Sequence, residues 1–435
     1  MAASNKKYPK PVYLVDGSRT PFLKARGKPG PFKHADLGIY ASRSLLLRMP
    51  FAADAIDEVI FGSTMPGPDE ANIARIVALR LGCGDQVPAY TVHRNCASGM
   101  QALDNAAMSI SSGRADLVLA GGIEAMSQAP LLFHPKAVAW LADWWGAKSI
   151  GQRLKVLSRF SPRLLAPVIA LLKGLTDPVV GLNMGQTAEQ IAWRFGITRA
   201  QMDQFALESH QKLHAAQQQG HLAEVVPIYD AEGNLYDFDD GVRPDSSLDK
   251  LGKLRPAFDK PFGLVTPGNS AQITDGAAAL LLASEAAVKK HDLPVLARLV
   301  STEWAALDPA EMGLGPAHAI APLLKAQRLK VGDIDYWEIN EAFAAQVLAV
   351  VAALEDKDYC KQHLGLRSAV GQIPRERLNI HGGGVSLGHP VGASGARIVL
   401  HLARVLEQNN AATGVASLCI GGGQGGAMLI ERNVA

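Results

Sequence analysis

Short, continuously apolar strands alternate with helical stretches over the first 127 residues, and this alternation narrows the fold more than any other feature. Ile56–Gly62, Ala89–Val92 and Ala115–Gly121 read as buried strands, while Asn72–Leu81 and Cys96–Ser111 have helical spacing. Such an order predicts a mostly parallel sheet with helices on both faces. It returns near the C-terminus, where Val295–Val300 and Tyr336–Ile339 read as strands and Val391–Leu406 as a helix. Gly414–Ile420 and Ala427–Ile430 then form a strand pair joined by GGGQGG. In the first half, Asn95-Cys96 leads into a helix and the next strand ends in Gly121-Gly122; in the second, Gly388-His389 leads into a helix and the next strand ends in Gly421-Gly422. The spacing therefore predicts two similar α/β halves facing each other. Residues 128–254 differ in texture, with Pro-broken turns and short helical stretches, and read as an insertion covering a site. The expected organisation is an N-terminal half over 1–127 that continues in 255–285, an inserted cover domain over 128–254, and a C-terminal half over 286–435.

Charge and cysteine usage exclude several function classes. Lys+Arg number 43 against 41 Asp+Glu, so no global charge favours nucleic acid. The 4 cysteines show no CxxC and no pairing framework, which in 435 residues points to a reducing compartment and leaves any one of them free to act as a thiol. The N-terminal stretch carries neither a signal h-region nor an Arg/Ser-rich leader, so a cytoplasmic location is expected. No apolar run is long enough to span a bilayer. Residues 381–426 hold twelve of the 42 glycines, which predicts a close approach of bare backbone to something near the C-terminus.

Four places could carry chemistry, and each has a plainer explanation. Cys96, with Asn95 as an N-cap, would sit at a helix N-terminus, where the dipole and free N–H groups lower a thiol pKa. Most free cysteines, however, are small buried hydrophobes. His389, held by Pro390 and flanking glycines, suits a general base. His381 and His389 together suggest a metal only weakly, because no further ligand stands at a recognised spacing. Ser386 lies in G-V-S-L-G, formally a hydrolase nucleophile elbow, but no hydrophobic strand precedes it. Cys419 ends a strand before GGGQGG; a strand follows that turn, so it suits an oxyanion better than a pyrophosphate, and a tight hairpin would also explain it. Asn340-Glu341 stands at a strand-to-helix junction, where a cap and a first-turn acid are ordinary. All four fall at strand ends or in loops entering helices, where open α/β sheets form their crevices.

Five segments taken in order resemble the thiolase family: NCASGMQA around Cys96, AGGIEAMS at 120–127, NEAF at 340–343, GHPVGASGAR at 388–397 and CIGGGQGGAM at 419–428. The resemblance runs from about Tyr13 to the last strand, and AKSIGQRL (147–154) with the long insertion looks most like the trifunctional-enzyme β-subunit branch of degradative 3-ketoacyl-CoA thiolases. It implies duplicated βαβαβαββ halves in an α/β/α/β/α layering. It also implies Cys96 as the acyl-accepting nucleophile, His389 as its base and Cys419 as the acid/base at the α-carbon. The N–H groups of Cys96 and Gly421 would form one oxyanion hole, and Asn340, with a water and His389, the other. The reaction implied is thiolytic cleavage of 3-ketoacyl-CoA by CoA with no metal or redox cofactor, the alternative being an acetoacetyl-CoA thiolase working mainly in the biosynthetic direction. Met184, Ser270 and Ala271 would contact substrate. The chain departs from the family's common pattern at Ala271, where many relatives carry Ser, at Asn183, where His is frequent, and at His381. The branch often has His where this chain has Asn340.

Residues 131–178 carry Lys136, Lys148, Arg153, Lys155, Arg159, Arg163 and Lys173 against only Asp143 and Asp177. Helical spacing puts Ile150, Leu154, Leu157, Leu164 and Val168 on one stripe with Lys155, Arg159 and Arg163 opposite, broken by Pro162 and Pro167 into two short helices. Trp140, Trp144 and Trp145 just precede it. A stripe packing on its own core competes with one meeting a membrane surface. The resemblance implies CoA thioesters as ligands, a homodimer or tetramer, a hydratase/dehydrogenase α-subunit and peripheral contact with an inner membrane. A decarboxylating ketosynthase, a hydrolase acting through Ser386 and a non-catalytic lipid carrier are the other readings. The first would use two His in place of His389 and Cys419, and the last would be expected to lose Cys96 or His389.

Overall fold

A computed structural model describes residues 8–432. The N-terminal half runs β1 (Val12–Arg19), α1 (His34–Leu46), β2 (Glu58–Gly62), α2 (Ile73–Leu81), β3 (Ala89–Val92), α3 (Ser98–Ser111) and β4 (Leu117–Ala125). The following segment holds α4 (Pro135–Gly146), α5 (Ile150–Leu157), α6 (Met184–Arg194) and α7 (Arg199–Gln218), and ends at β5 (Thr274–Ser284). The C-terminal half runs β6 (Ala297–Ala306), α8 (Gly315–Gln327), β7 (Tyr336–Ile339), α9 (Ala344–Glu355), α10 (Val391–Gln408), β8 (Thr413–Ile420) and β9 (Gln424–Glu431).

The strands lie in the order β7-β8-β9-β6-β1-β5-β4-β2-β3, so the two half-sheets meet edge to edge where Val12–Leu14 pairs with Ala297–Leu299. Among the described residues three of this sheet's pairings are parallel (β2/β3, β2/β4, β7/β8) and six antiparallel, counting the short pairing of Leu23–Lys24 with β5, which corrects the mostly parallel sheet expected from the alternation. The antiparallel pairings arise because β5 and β9 each return beside the strand before them, after a long excursion in one half and a three-glycine turn in the other. The halves match closely, but among the described residues the C-terminal one has no counterpart of β3. A single parallel bridge, Trp337 to Leu378, stands in its place.

Burial on both faces explains why these strands read as unbroken apolar runs. In β5, Ala277, Ala279, Leu281 and Ala283 pack outward with α1 and α2, while Ala278, Leu280 and Leu282 face the layer holding α3 and α10. That inner layer touches strands of both halves, and α8 and α9 pack on the far face of β8 and β9. The result is the expected α/β/α/β/α stack. α3 and α10 approach so closely that a Cβ on Gly99 would lie 2.8 Å from Ala396 N, and one on Gly395 would lie 2.6 Å from Met100 N. These helices could not cross as they do with side chains there.

The insertion differs from its expected form. The three Trp belong to α4 itself, α5 ends at Leu157, Pro162 opens a 3-10 turn and Pro167 opens a strand pairing with Leu131–Phe133. Arg159 and Arg163 therefore lie outside α5; Arg159 pairs with Asp143 at 3.0 Å. Ile150, Leu154 and Leu157 are 79%, 60% and 50% exposed, so this stripe does not pack on the chain's own core. Among the described residues no helix is long and apolar enough to cross a membrane.

Candidate active site

Cys96 and His389 hold equivalent places, each two residues ahead of the first residue of its helix, Ser98 for α3 and Val391 for α10. Ala97, not Asn95, caps α3. Asn95 instead takes a left-handed backbone (φ 43°) and sends its Nδ2 to the Gly421 carbonyl at 2.8 Å. That bond ties the Cys96 loop to the turn after β8 and so joins the halves at the site. The thiol is half-buried. Burial raises its pKa, and hydrogen bonds from the Gly421 N–H and its own N–H only partly offset this. The net rise corrects the expectation of a lowered pKa, because Cys96 precedes the helix by two residues and desolvation outweighs the local donors. Its resting form is the neutral thiol. The two N–H groups expected to form an oxyanion hole are the same two that reach this sulfur.

His389 is buried, and burial followed by the nearby Arg397 charge lowers its pKa to about 4. The ring is thus neutral near pH 7, and its surroundings choose the tautomer. Ser394 Oγ donates to the Pro390 carbonyl at 3.0 Å and lies 2.6 Å from His389 Nδ1. With its only proton committed, the hydroxyl accepts from Nδ1–H. Nε2 keeps its lone pair and has no partner among the described residues, which is the condition a general base needs. The Asn340 amide lies 3.5 Å from Nδ1, and its Oδ1 is buried and unpartnered.

Cys419 is buried at the end of β8, where burial and then the neighbouring Cys96 push its thiol well above the usual range. It can therefore hold a proton at neutral pH. Gly421 begins the turn, and Gly422 and Gly423 continue it at positive φ. Glu341, expected to be a first-turn acid, is buried ahead of α9. It accepts from Ser209 Oγ (2.6 Å), Asn379 Nδ2 (2.8 Å) and Val385 N (3.2 Å), which fixes the loop leading to His389. Ser386 is buried and bonded to Ser209 and Gly383, which removes it as an exposed nucleophile.

A cavity of about 300 Å³ opens on Cys96, Gly421, Met184 and Asn95, with Met65, Met126, Leu171 and Leu175 giving it an apolar wall. Met184 begins α6, capped by Asn183 and Gln186. Ser270 and Ala271 lie elsewhere: the Ser270 hydroxyl bonds the Thr266 carbonyl, and Ala271 N–H bonds Ala342 O beside NEAF. One residue further on, the Gln272 carbonyl receives the His389 N–H at 3.0 Å, so this loop braces the base from behind. His381 contacts His401 (3.3 Å) and the His221 ring in a separate interior cluster. Among the described residues no group of three His, Cys, Asp or Glu side chains could hold a metal ion. The sequence does not point to Ser394, although it lies inside a quoted motif, nor to the bracing role of Glu341 or the bridging role of Asn95.

Comparison with known proteins gives one result throughout. The model of the thiolase N-terminal domain matches residues 12–286 and that of the thiolase C-terminal domain 293–432. The chain is 37% identical over 421 residues to the mitochondrial trifunctional enzyme subunit beta of Bos taurus, covering 97% of this chain and 88% of that one. It is 36% identical over 426 residues to a 3-ketoacyl-CoA thiolase of Yersinia pestis, covering 97% and 96%. A crystal structure of human mitochondrial 3-ketoacyl-CoA thiolase in complex with CoA superimposes with a TM-score of 0.83 at 35% identity, covering 98% of this chain and 99% of that one.

Proposed function

The chain belongs to the thiolase family, and from that premise we propose that it cleaves 3-ketoacyl-CoA with CoA to give acetyl-CoA and a shortened acyl-CoA, as in fatty-acid degradation. The observation that carries the proposal is the unpartnered Nε2 of a neutral, tautomer-fixed His389 in a site that also holds two protonated thiols. Cys96 Sγ attacks the 3-keto carbon while His389 Nε2 takes the thiol proton, and the N–H groups of Cys96 and Gly421 bind the resulting oxyanion. The C2–C3 bond breaks, and the departing acetyl-CoA carbanion takes its proton from Cys419. Asn340 stabilises the enolate oxygen. The proton left on His389 then returns to the Cys419 thiolate. In the second half-reaction CoA's thiol gives its proton to the freed His389, its sulfur displaces the acyl group from Cys96, and that proton passes on to the departing Cys96 thiolate. No metal or redox cofactor enters, since no electron changes hands.

Met184 and the apolar wall formed by Met65, Met126, Leu171 and Leu175 receive the acyl chain, whereas Ser270 and Ala271 act on the CoA side through the loop that braces His389. The assay is loss of ketoacyl-CoA enolate absorbance for C4 to long-chain substrates, with and without free CoA. Turnover that depends on CoA and extends to long chains supports the degradative reading. Activity confined to acetoacetyl-CoA assigns the biosynthetic alternative, and sustained turnover without CoA would mean hydrolysis.

The insertion extends the proposal to partners. All seven of its basic residues are exposed, beside the exposed Leu131, Phe133, Trp145, Ile150 and Leu154. With a trifunctional enzyme β-subunit among the relatives, these features support binding to a hydratase/dehydrogenase α-subunit and peripheral contact with an inner membrane, in a chain we read as a cytoplasmic homo-oligomer. Each basic residue at an anionic surface contributes about 1 kcal/mol. Cosedimentation with anionic vesicles is expected at low salt and should be lost by about 0.5 M salt through screening. No cosedimentation at low salt, with or without an α-subunit, removes the membrane contact.

A further inference from the structure

A buried carboxylate stands on the catalytic cavity without a part in the reaction above. Glu124, at the end of β4, is fully buried and lines the Cys96 cavity. Its Oε2 accepts from Thr64 N (3.0 Å), the Thr64 hydroxyl and Gly392 N (2.9 Å), the last being in the first turn of α10, three residues after His389. Its Oε1 accepts from Met65 N at 3.1 Å. A carboxyl that takes this many donors is ionised. A bare negative charge here opposes formation of a Cys96 thiolate in the same cavity.

The counter-charge comes from α1. His34 is buried, with Nε2 3.4 Å from Glu124 Oε1 and Nδ1 3.5 Å from Glu70 Oε2. Glu70 is tied in place by the Ala35 N–H at 3.1 Å. These are ion-pair distances, and Nε2 makes no hydrogen bond among the described residues, so the ring meets the two carboxylates as a charge: an imidazole set between two acceptor-only carboxylates is favoured as an imidazolium. Asp69 and Asp275 are the other charged groups that feel this ring, and both are acidic. Burial alone would discharge His34, but its carboxylates hold it at about 9.

We propose that His34 is a positioning residue for the thiolase reaction: as an imidazolium bridging Glu70 and Glu124, it neutralises the carboxylate on the Cys96 cavity and so allows the thiolate to form there. The proposal rests on Cys96 being the nucleophile, but its test needs no turnover. The readout is the pH profile of Cys96 alkylation by iodoacetamide, followed on the Cys96 peptide by mass spectrometry. His34→Gln should slow alkylation at pH 7 about tenfold, which corresponds to a profile displaced upward by about one pH unit. Adding Glu124→Gln removes the uncompensated charge and should restore the rate to within about threefold, whereas a merely structural pair would lose more in the double variant. An unchanged rate in His34→Gln, or a double variant slower than the single, overturns the proposal. If these variants do not fold, 15N-histidine spectra of the unmodified protein decide. One buried ring should remain doubly protonated at pH 8, where ordinary histidines have lost a proton, and the absence of such a ring overturns it equally.

Discussion

The two halves of the molecule present one architecture twice and put it to opposite uses. Cys96 before α3 and His389 before α10 are equivalent by position, yet Cys96 faces an open cavity while His389 is buried behind it. The difference lies in what joins the last two strands of each half. Between β4 and β5 the chain makes its excursion over residues 126–273, and parts of that excursion, Leu171, Leu175 and Met184, wall the cavity. Between β8 and β9 the same connection is Gly421–Gly423, which adds no side chain and leaves the Gly421 N–H facing Cys96. One half thus supplies the wall, the nucleophile and one N–H donor, the other the Gly421 donor and the proton carriers. A duplicated fold yields an asymmetric site because the insertion occurs in only one copy.

The strongest way to break this division of labour is to remove the C-terminal half's two proton carriers separately. His389→Ala should lower kcat/KM by roughly 10³-fold, within the range for a lost general base, and should slow acylation as well as transfer to CoA. Cys419→Ala should still acylate at Cys96 but lose exchange of the acetyl-CoA α-protons with deuterated water, read by NMR. Exchange at the normal rate in Cys419→Ala would transfer the α-carbon chemistry elsewhere.

A smaller effect sharpens the same contrast through stability. His389 and His210, each at about 4, and His381 at about 3 stay neutral in the folded protein well below the usual histidine range. The unfolded chain binds these protons from about pH 6.5 downward, so stability falls as pH drops from about 6.5 to 4, by about 1.4 kcal/mol for each unit of displacement. In urea titrations, His389→Gln should flatten this slope, while Cys96→Ala should leave it unchanged because a neutral thiol takes up no proton there. Equal slopes in the unmodified protein and His389→Gln would contradict the burial of a neutral base.

Much of this was legible in the sequence, and the losses have identifiable causes. Strand and helix alternation located β2, β3, β4 and β7, because a strand buried on both faces reads as an apolar run. β5 was not read as a strand: DGAAALLLAS is equally a helix by composition, and its pairing with β4 spans an excursion that no local signal records. Cys96, His389, Asn340 and Cys419 stand out as strand-end residues; the structure sets Cys419 beside Cys96 and Asn340 beside His389, with the Glu124 charge acting on both Cys96 and His389. Ser394 does not stand out, and Glu341 stands out only as an ordinary first-turn acid, because their importance lies in a tautomer and in partners distant in sequence, neither of which spacing expresses. The thiol pKa was read in the wrong direction because a helix N-terminus is visible in a sequence and desolvation is not. The exposed stripe of α5 was visible as a stripe, but its failure to pack on the core required coordinates.

The claim that the N-terminal half carries the acyl group while the C-terminal half carries the protons is tested most directly by locating the acyl-enzyme. The protein is incubated with acetyl-CoA, which acylates Cys96 by direct thioester exchange with release of CoA and no carbon–carbon cleavage, then quenched in acid, digested and mapped by mass spectrometry. The account predicts an acetyl adduct on the Cys96 peptide alone, retained in Cys419→Ala and absent in Cys96→Ala. An adduct on Cys419 or any other residue of the unmodified protein would contradict it.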